Sequence, residues 1–302
     1  MKKPGAATLS LPNRTLACST AGGPFESILI LKDTVVGASA KRLVTWSRKS
    51  GALLTDRALP VDGAPTLSPT GDLLVLLRPA KTPGDFTNVS TWRVTADSFE
   101  PIGAEDVPGK LRAVCISPDE RYVAWSAFDA EPNGHHRAVR DTKLAPIGRF
   151  PAAGQQMKTG GVAVSADAFA VAEKGLVQVF DLPSMTPRWQ AELVGAESLR
   201  YGPDGTLYGS TSKGLIAAYD AAGRQTWKSG AGRDSFPWIL VGGGLVVAGG
   251  GNGVLEAATG TSRAQIGATL SALAIAADGG EVGTSPVDRP NIVELWTIPP
   301  PM

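Results

Sequence analysis

The chain has 302 residues, 43% hydrophobic and 19% charged, and its 29 Lys and Arg against 28 Asp and Glu leave a formal charge of +1. That apolar content supports a packed core rather than disorder, and near neutrality supplies no basic field for nucleic-acid phosphates. No stretch approaches the roughly 20 consecutive apolar residues of a membrane-spanning helix, and the start, Met1-Lys2-Lys3-Pro4, lacks the apolar run of a secretory signal, so a cytoplasmic location is expected.

In chain order, residues 1–12 read as a flexible lead, and 13–20 as a strand with no partner among its sequence neighbours. Thereafter 36 glycines and 23 prolines punctuate the whole chain. Apolar runs end in a turn signal at Leu67-Ser68-Pro69-Thr70-Gly71-Asp72, Ile116-Ser117-Pro118-Asp119, Val164-Ser165-Ala166-Asp167, Tyr201-Gly202-Pro203-Asp204-Gly205 and Ala276-Ala277-Asp278-Gly279. A variant form stands at Leu240-Val241-Gly242-Gly243-Gly244-Leu245. A second marker follows the same rhythm at Trp46, Trp92, Val139, Phe180, Tyr219, Glu256 and Trp296. A repeat of roughly 40–45 residues is the length of four short strands joined by tight turns.

The markers define units at 27–60, 61–106, 107–151, 152–193, 194–230, 231–267 and 268–298, with 299–302 as a tail. Leu270, Leu273 and Ala274 keep a helical spacing, but the longest stretch free of Gly and Pro, 85–100, alternates as a strand does. The last unit supplies three strands, near 272–276, 281–284 and 292–297, which leaves its outer edge unpaired. An open edge invites aggregation, and a ring must close somewhere. The expected fold is therefore all-β: a single seven-bladed β-propeller closed by the N-terminal strand, 13–20, completing the last blade.

Thr206-Leu207-Tyr208-Gly209-Ser210 with Leu215-Ile216-Ala217-Ala218-Tyr219-Asp220 and Gly223-Arg224-Gln225-Thr226-Trp227 resembles the repeat of pyrroloquinoline-quinone-like propellers, and a weaker copy runs over 245–260. The Ser-Pro-Asp turns, with Val177-Gln178-Val179-Phe180-Asp181 and Val293-Glu294-Leu295-Trp296, resemble WD-repeat blades of bacterial type. The Gly-His before the first strand is absent, and Trp-Asp never occurs as a dipeptide. The resemblance implies a rigid platform, a subunit of a bacterial multiprotein assembly.

Site chemistry is sparse. Quinone-dependent dehydrogenases of similar fold use calcium, and some an adjacent Cys-Cys pair, whereas Cys18 and Cys115 are far apart and read as small buried strand residues. Asp129-Ala130-Glu131-Pro132-Asn133-Gly134 approximates a calcium loop, but Arg140 stands where the bidentate Glu is required. His135 and His136 adjoin that loop, and neighbours on a strand point to opposite faces. No Gly-x-Ser-x-Gly elbow exists, and Gly249-Gly250-Gly251-Asn252-Gly253 reads as a tight hairpin turn rather than a phosphate cradle.

No catalytic, cofactor-binding or metal-binding residue is expected. Binding is expected on the face carrying the longest loops, 79–89, 128–137 and 285–291, where insertions in repeat proteins gather. The loops entering each innermost strand share that face and place Lys110, Arg112, Lys158, Arg233, Asp234 and Phe236 near the channel mouth, with His135 and His136 beside them. The leading expectation is a non-catalytic scaffold for one or more partner proteins. The alternative is a small-molecule-binding or metal-dependent, lactonase-like hydrolase using the central channel.

Overall fold

The computed structural model describes residues 7–18, 23–79, 86–128, 136–151, 161–173, 175–230, 238–248, 253–266, 270–286 and 288–300. Among them every regular element is a strand, and the strands form seven sheets. In the first blade Phe25–Ile30, Thr34–Ser39, Arg42–Ser47 and Leu53–Ala58 pair antiparallel in that order, and the same meander recurs along the chain. The innermost strands, from Phe25–Ile30 through Ala64–Leu67, Lys110–Ile116, Val162–Val164, Ala196–Tyr201 and Ile239–Gly242 to Leu270–Ile275, each touch the next, and the last touches the first. The fold is a closed seven-bladed β-propeller.

Each blade is too thin to bury its own faces, so apolar side chains pack between neighbours. Leu16, Phe25, Trp46, Val293 and Leu295 fill the gap between the last and first blades, and Ala170, Leu199, Leu207 and Tyr219 that between the fourth and fifth. Second strands, covered on both faces, are largely buried: Leu207–Thr211 and Leu245–Ala248 are buried at every position. Outer strands such as Gln225–Gly230 alternate between exposed and half-buried. Fully burying a Leu or Val contributes about 1.5–3 kcal/mol, so the ring is stabilised by a core divided among the blade interfaces.

The seven repeat markers all lie on third strands. In the first five blades the pairing with the outer strand shifts register at or opposite the marker, as between Thr45 and Trp46 and between Ala218 and Tyr219, and in the sixth it shifts one residue earlier, between Val254 and Leu255. Such a bulge increases local twist, which turns the outer strand away from its hairpin partner. The seventh blade lacks this shift because its outer strand is not part of a hairpin. Arg14–Ala17 supplies it, pairing antiparallel with Ile292–Thr297 with Leu16 opposite Val293. Trp46 of the first blade donates its indole N–H to Ala17 O at 3.0 Å, and Asn13 accepts from Thr297 N at 2.6 Å.

Several expectations are corrected. Ala7–Leu9, read as part of a flexible lead, pairs parallel with Ser262–Ile266 as a fifth strand on the sixth blade, and Leu9 packs against that blade's core. Three residues are too short to carry a period, and a count of four strands per unit left no vacancy for a fifth. The first blade begins at Phe25 rather than 27, and the second blade's outer strand runs to Pro108, past the expected boundary at 106. Cys18 follows the closing strand instead of lying in one, while Cys115 is a strand residue; both are buried.

Candidate interaction face

The meander gives the ring two unlike faces. Turns joining first to second strands and third to fourth lie on one, the turn face. Connections from second to third strands, and from each outer strand to the next blade, lie on the other, the loop face.

On the turn face the Ser and Asp of the repeat motif are explained by backbone geometry. Ser117 Oγ accepts from the amides of Tyr122 at 3.0 Å and Arg121 at 3.1 Å and donates to Asp119 at 2.6 Å. Ser165 repeats this with Ala168 and Asp167, each at 3.0 Å. Charged side chains then tie blade to blade: Arg121 donates to Ala166 O at 2.6 Å, and the Thr70 hydroxyl donates to Glu120. Across the closing seam, Arg48 pairs with Glu281 at 2.8 Å and Asp278 at 3.1 Å.

These contacts titrate. The Gly280 amide, chiefly, and Arg48 hold the Asp278 carboxyl below its ordinary range against the opposing effect of burial. At Asp167 burial pushes the pKa up, but hydrogen bonds from Arg188 and Ser165 outweigh it and the net shift is downward. A depressed folded-state pKa contributes stability above the unfolded value, about 3.9 for Asp, that is lost as pH falls through the folded value. Arg48→Met is accordingly expected to lower the urea midpoint at about pH 6 and to differ progressively less from the parent as the pH falls toward about 2, through the depressed pKa of Asp278. Equal losses at both values would show that the pairs across the seam contribute nothing.

Among the described residues several buried polar atoms lack a hydrogen-bond partner, the Trp125 indole N–H and the Tyr201 hydroxyl among them. The Tyr201 hydroxyl, on the innermost strand of the fifth blade, is enclosed without a protein hydrogen bond, and burial pushes its phenol well above the usual range. An unmatched buried hydroxyl costs about 1–3 kcal/mol. Tyr201→Phe is expected to keep or raise the thermal midpoint; a clear fall would reveal a hydrogen bond formed in solution.

On the loop face Lys110 opens the innermost strand of the third blade and is exposed, and Arg112 lies in the same strand where the register shifts between Leu111 and Ala113. His136 opens the third strand of that blade, opposite Ala127, while Lys110 stands opposite Phe128. The two therefore flank one end of the second strand. His135, Lys158, Arg233, Asp234 and Phe236, with the calcium-like segment 129–134, lie outside the described residues. Ion pairs stand at strand ends here: the largely buried Arg137 with Glu173 at 3.5 Å between the third and fourth blades, and the buried Glu294 with the exposed Arg289. Burial lowers the Arg137 pKa, with Glu173 opposing.

Two loop-face residues were missed in the sequence. Phe86, which opens the third strand of the second blade, is 58% exposed, and Val194, following the outer strand of the fourth, is 70% exposed. Phe86 sat at the end of a run that alternates as a strand, where an apolar residue reads as core. Among the described residues no group of three or more His, Cys, Asp or Glu side chains is placed to hold a metal ion.

No family model matches the chain, and no curated protein matches it. Solved structures do. The WD40 repeats of RRP9 superpose with a TM-score of 0.66 at 11% identity, covering 94% of this chain and 97% of that one. A chain in the crystal structure of a mitotic checkpoint complex superposes with a TM-score of 0.67 at 14% identity, covering 99% of each. The structural neighbours are WD40 β-propellers, and at these identities the likeness is one of fold.

Proposed function

We propose that the chain is a non-catalytic protein-interaction scaffold, a subunit of a bacterial multiprotein assembly, whose loop face receives its partner. The observation that carries this reading is the asymmetry between the faces. Turn-face side chains such as Arg48, Arg121 and Thr70 are committed to contacts that join blades. The loop face instead exposes Phe86 and Val194 beside cations such as Lys110; among the described residues the other exposed large apolar side chains are Leu53 and Leu54, in the outer strand of the first blade, and Leu11, between the two N-terminal strands. Exposed apolar side chains rimmed by polar ones mark interaction surfaces. The neighbour found in a mitotic checkpoint complex supports the reading by analogy of fold alone. A cytoplasmic location belongs to the same proposal: the chain has only two cysteines, Cys18 and Cys115, which do not amount to a disulfide framework.

The test compares faces. The full chain carrying loop-face changes Lys41→Glu, Val194→Ser and Lys213→Glu is used to capture proteins from the native host, alongside a turn-face control carrying Lys32→Glu and Lys49→Glu. The expected result is a stoichiometric partner retained by the parent and the control and lost from the loop-face variant. Loss from the control alone, or purified protein carrying stoichiometric metal and hydrolytic activity in place of a partner, overturns the proposal.

A further inference from the structure

The second blade departs from its siblings. Its third strand, Phe86–Val94, has 9 residues and its outer strand, Phe99–Pro108, has 10, whereas the outer strand of the first blade has 6. These two strands stay paired as far as Phe86 opposite Pro108, but the second strand of the blade ends at Arg78, opposite Asn88. A two-stranded ribbon therefore overshoots the sheet on the loop face.

The overshoot is built rather than loose. Thr87 is 1% exposed and its hydroxyl donates to Gly109 O at 2.6 Å. Val107, 2% exposed, packs with Val75, Val89 and Leu111, and the single residue Gly109 leads from Pro108 into the innermost strand of the third blade. What this rigid ledge presents is Phe86 at its tip.

Charge on the ledge is unevenly engaged. Arg140 holds the Glu105 carboxylate through two hydrogen bonds, at 2.9 and 3.0 Å, and Asp106 accepts from the Asn88 amide at 2.8 Å. Arg78, across from Asn88, and Lys110, just beyond Gly109, are both exposed, and among the described residues neither enters an ion pair. The neutral Asn88 amide leaves the Asp106 carboxylate charged, so among the described residues Arg78 and Lys110 outnumber one carboxylate unmatched by a cation, and the balance beside the exposed aromatic ring is positive. An apolar side chain on Phe86 and Pro108 would gain from burial, and carboxylates beside it would gain from Arg78 and Lys110.

We infer that this ribbon tip is the docking point for an acidic segment of a partner protein bearing a large apolar side chain, an inference that rests on the scaffold reading and names the chemistry of the partner. The apolar group packs on Phe86 and Pro108, and its flanking carboxylates pair with Arg78 and Lys110. Exposed charge pairs set orientation and on-rate more than affinity, so the aromatic contact carries most of the binding.

The probe is a phage-displayed library of random dodecapeptides panned on the full chain, with selected peptides titrated by fluorescence anisotropy. Enrichment of sequences placing Asp or Glu beside Leu, Phe or Trp is expected. Phe86→Ala should weaken them by about tenfold or more, and Arg78→Gln with Lys110→Gln by about fivefold at low salt, with most of the salt dependence removed. Lys49→Gln should change binding less than about twofold, and thermal midpoints verify that each variant is folded. Selected peptides without acidic residues, binding indifferent to both ribbon variants, or no selectable binder overturns the inference. A native partner lost on changing Lys41, Val194 and Lys213 but insensitive to Phe86, Arg78 and Lys110 would also sink it while leaving the scaffold reading intact.

Discussion

Deleting residues 1–18 is expected to lower the thermal midpoint by more than about 10 °C, or to abolish the soluble monomer, although it removes only a short terminal segment. Leu16, fully buried between the last and first blades, contributes about 2–3 kcal/mol by burial alone. Its loss also strips Trp46 of the Ala17 carbonyl, and a buried indole N–H without an acceptor costs about 1–3 kcal/mol more. At roughly 2–4 °C per kcal/mol for a large domain these two effects alone approach the stated shift. The deletion further uncovers the edge of Ile292–Thr297, a template for intermolecular pairing. Leu16→Ala, which keeps the strand, should lose about 3 kcal/mol and remain monomeric. Differential scanning fluorimetry with light scattering separates the outcomes, and an unchanged midpoint in the deletion would show that the ring closes another way.

Gly279→Ala is expected to destabilise as much as a core substitution, by about 3 kcal/mol or more, despite lying in a surface turn. The turns of the sixth and seventh blades meet backbone to backbone there. A Cβ on Gly279 would fall 2.1 Å from Gly243 O, and one on Gly243 would fall 2.3 Å from Ala276 O. Both residues have positive φ, +68° and +53°, so strain adds to the clash. Gly205, at the equivalent position of the fifth blade, has φ of +81° but nothing within 4 Å of a Cβ. Gly205→Ala should therefore cost only about 1 kcal/mol, which isolates the clash from the conformational cost. Equal urea midpoints for the two variants would contradict the close approach of the two blades.

Ring and closure were legible because they follow from periodicity and from hydrogen-bond accounting. A Ser that satisfies the amides of its own turn recurs in the second, third and fourth blades, as Ser68, Ser117 and Ser165. A last blade with one strand too few needed an edge partner, and 13–20 had no other place to go. Ala7–Leu9 escaped notice because nothing in the blade count required it. Of the proposed interaction face the sequence indicated the side and Lys110, but not Phe86. Loop lengths indicate which side accumulates insertions, whereas exposure at Phe86 depends on two strands outrunning a third, a difference in length that alternation within one strand does not reveal. Likewise Arg140, which argued against calcium at the 129–134 loop, reaches across to the outer strand of the second blade as the holder of Glu105.

Amide hydrogen exchange of the full chain, free and bound to the partner captured from its host, bears most directly on the division of labour between the faces. Added protection is expected in the loop-face connections around 39–42, 86–88, 193–195 and 211–214, with the turn-face segments 48–51, 69–72, 118–121 and 278–280 unchanged. Protection confined to the turn-face segments would contradict it.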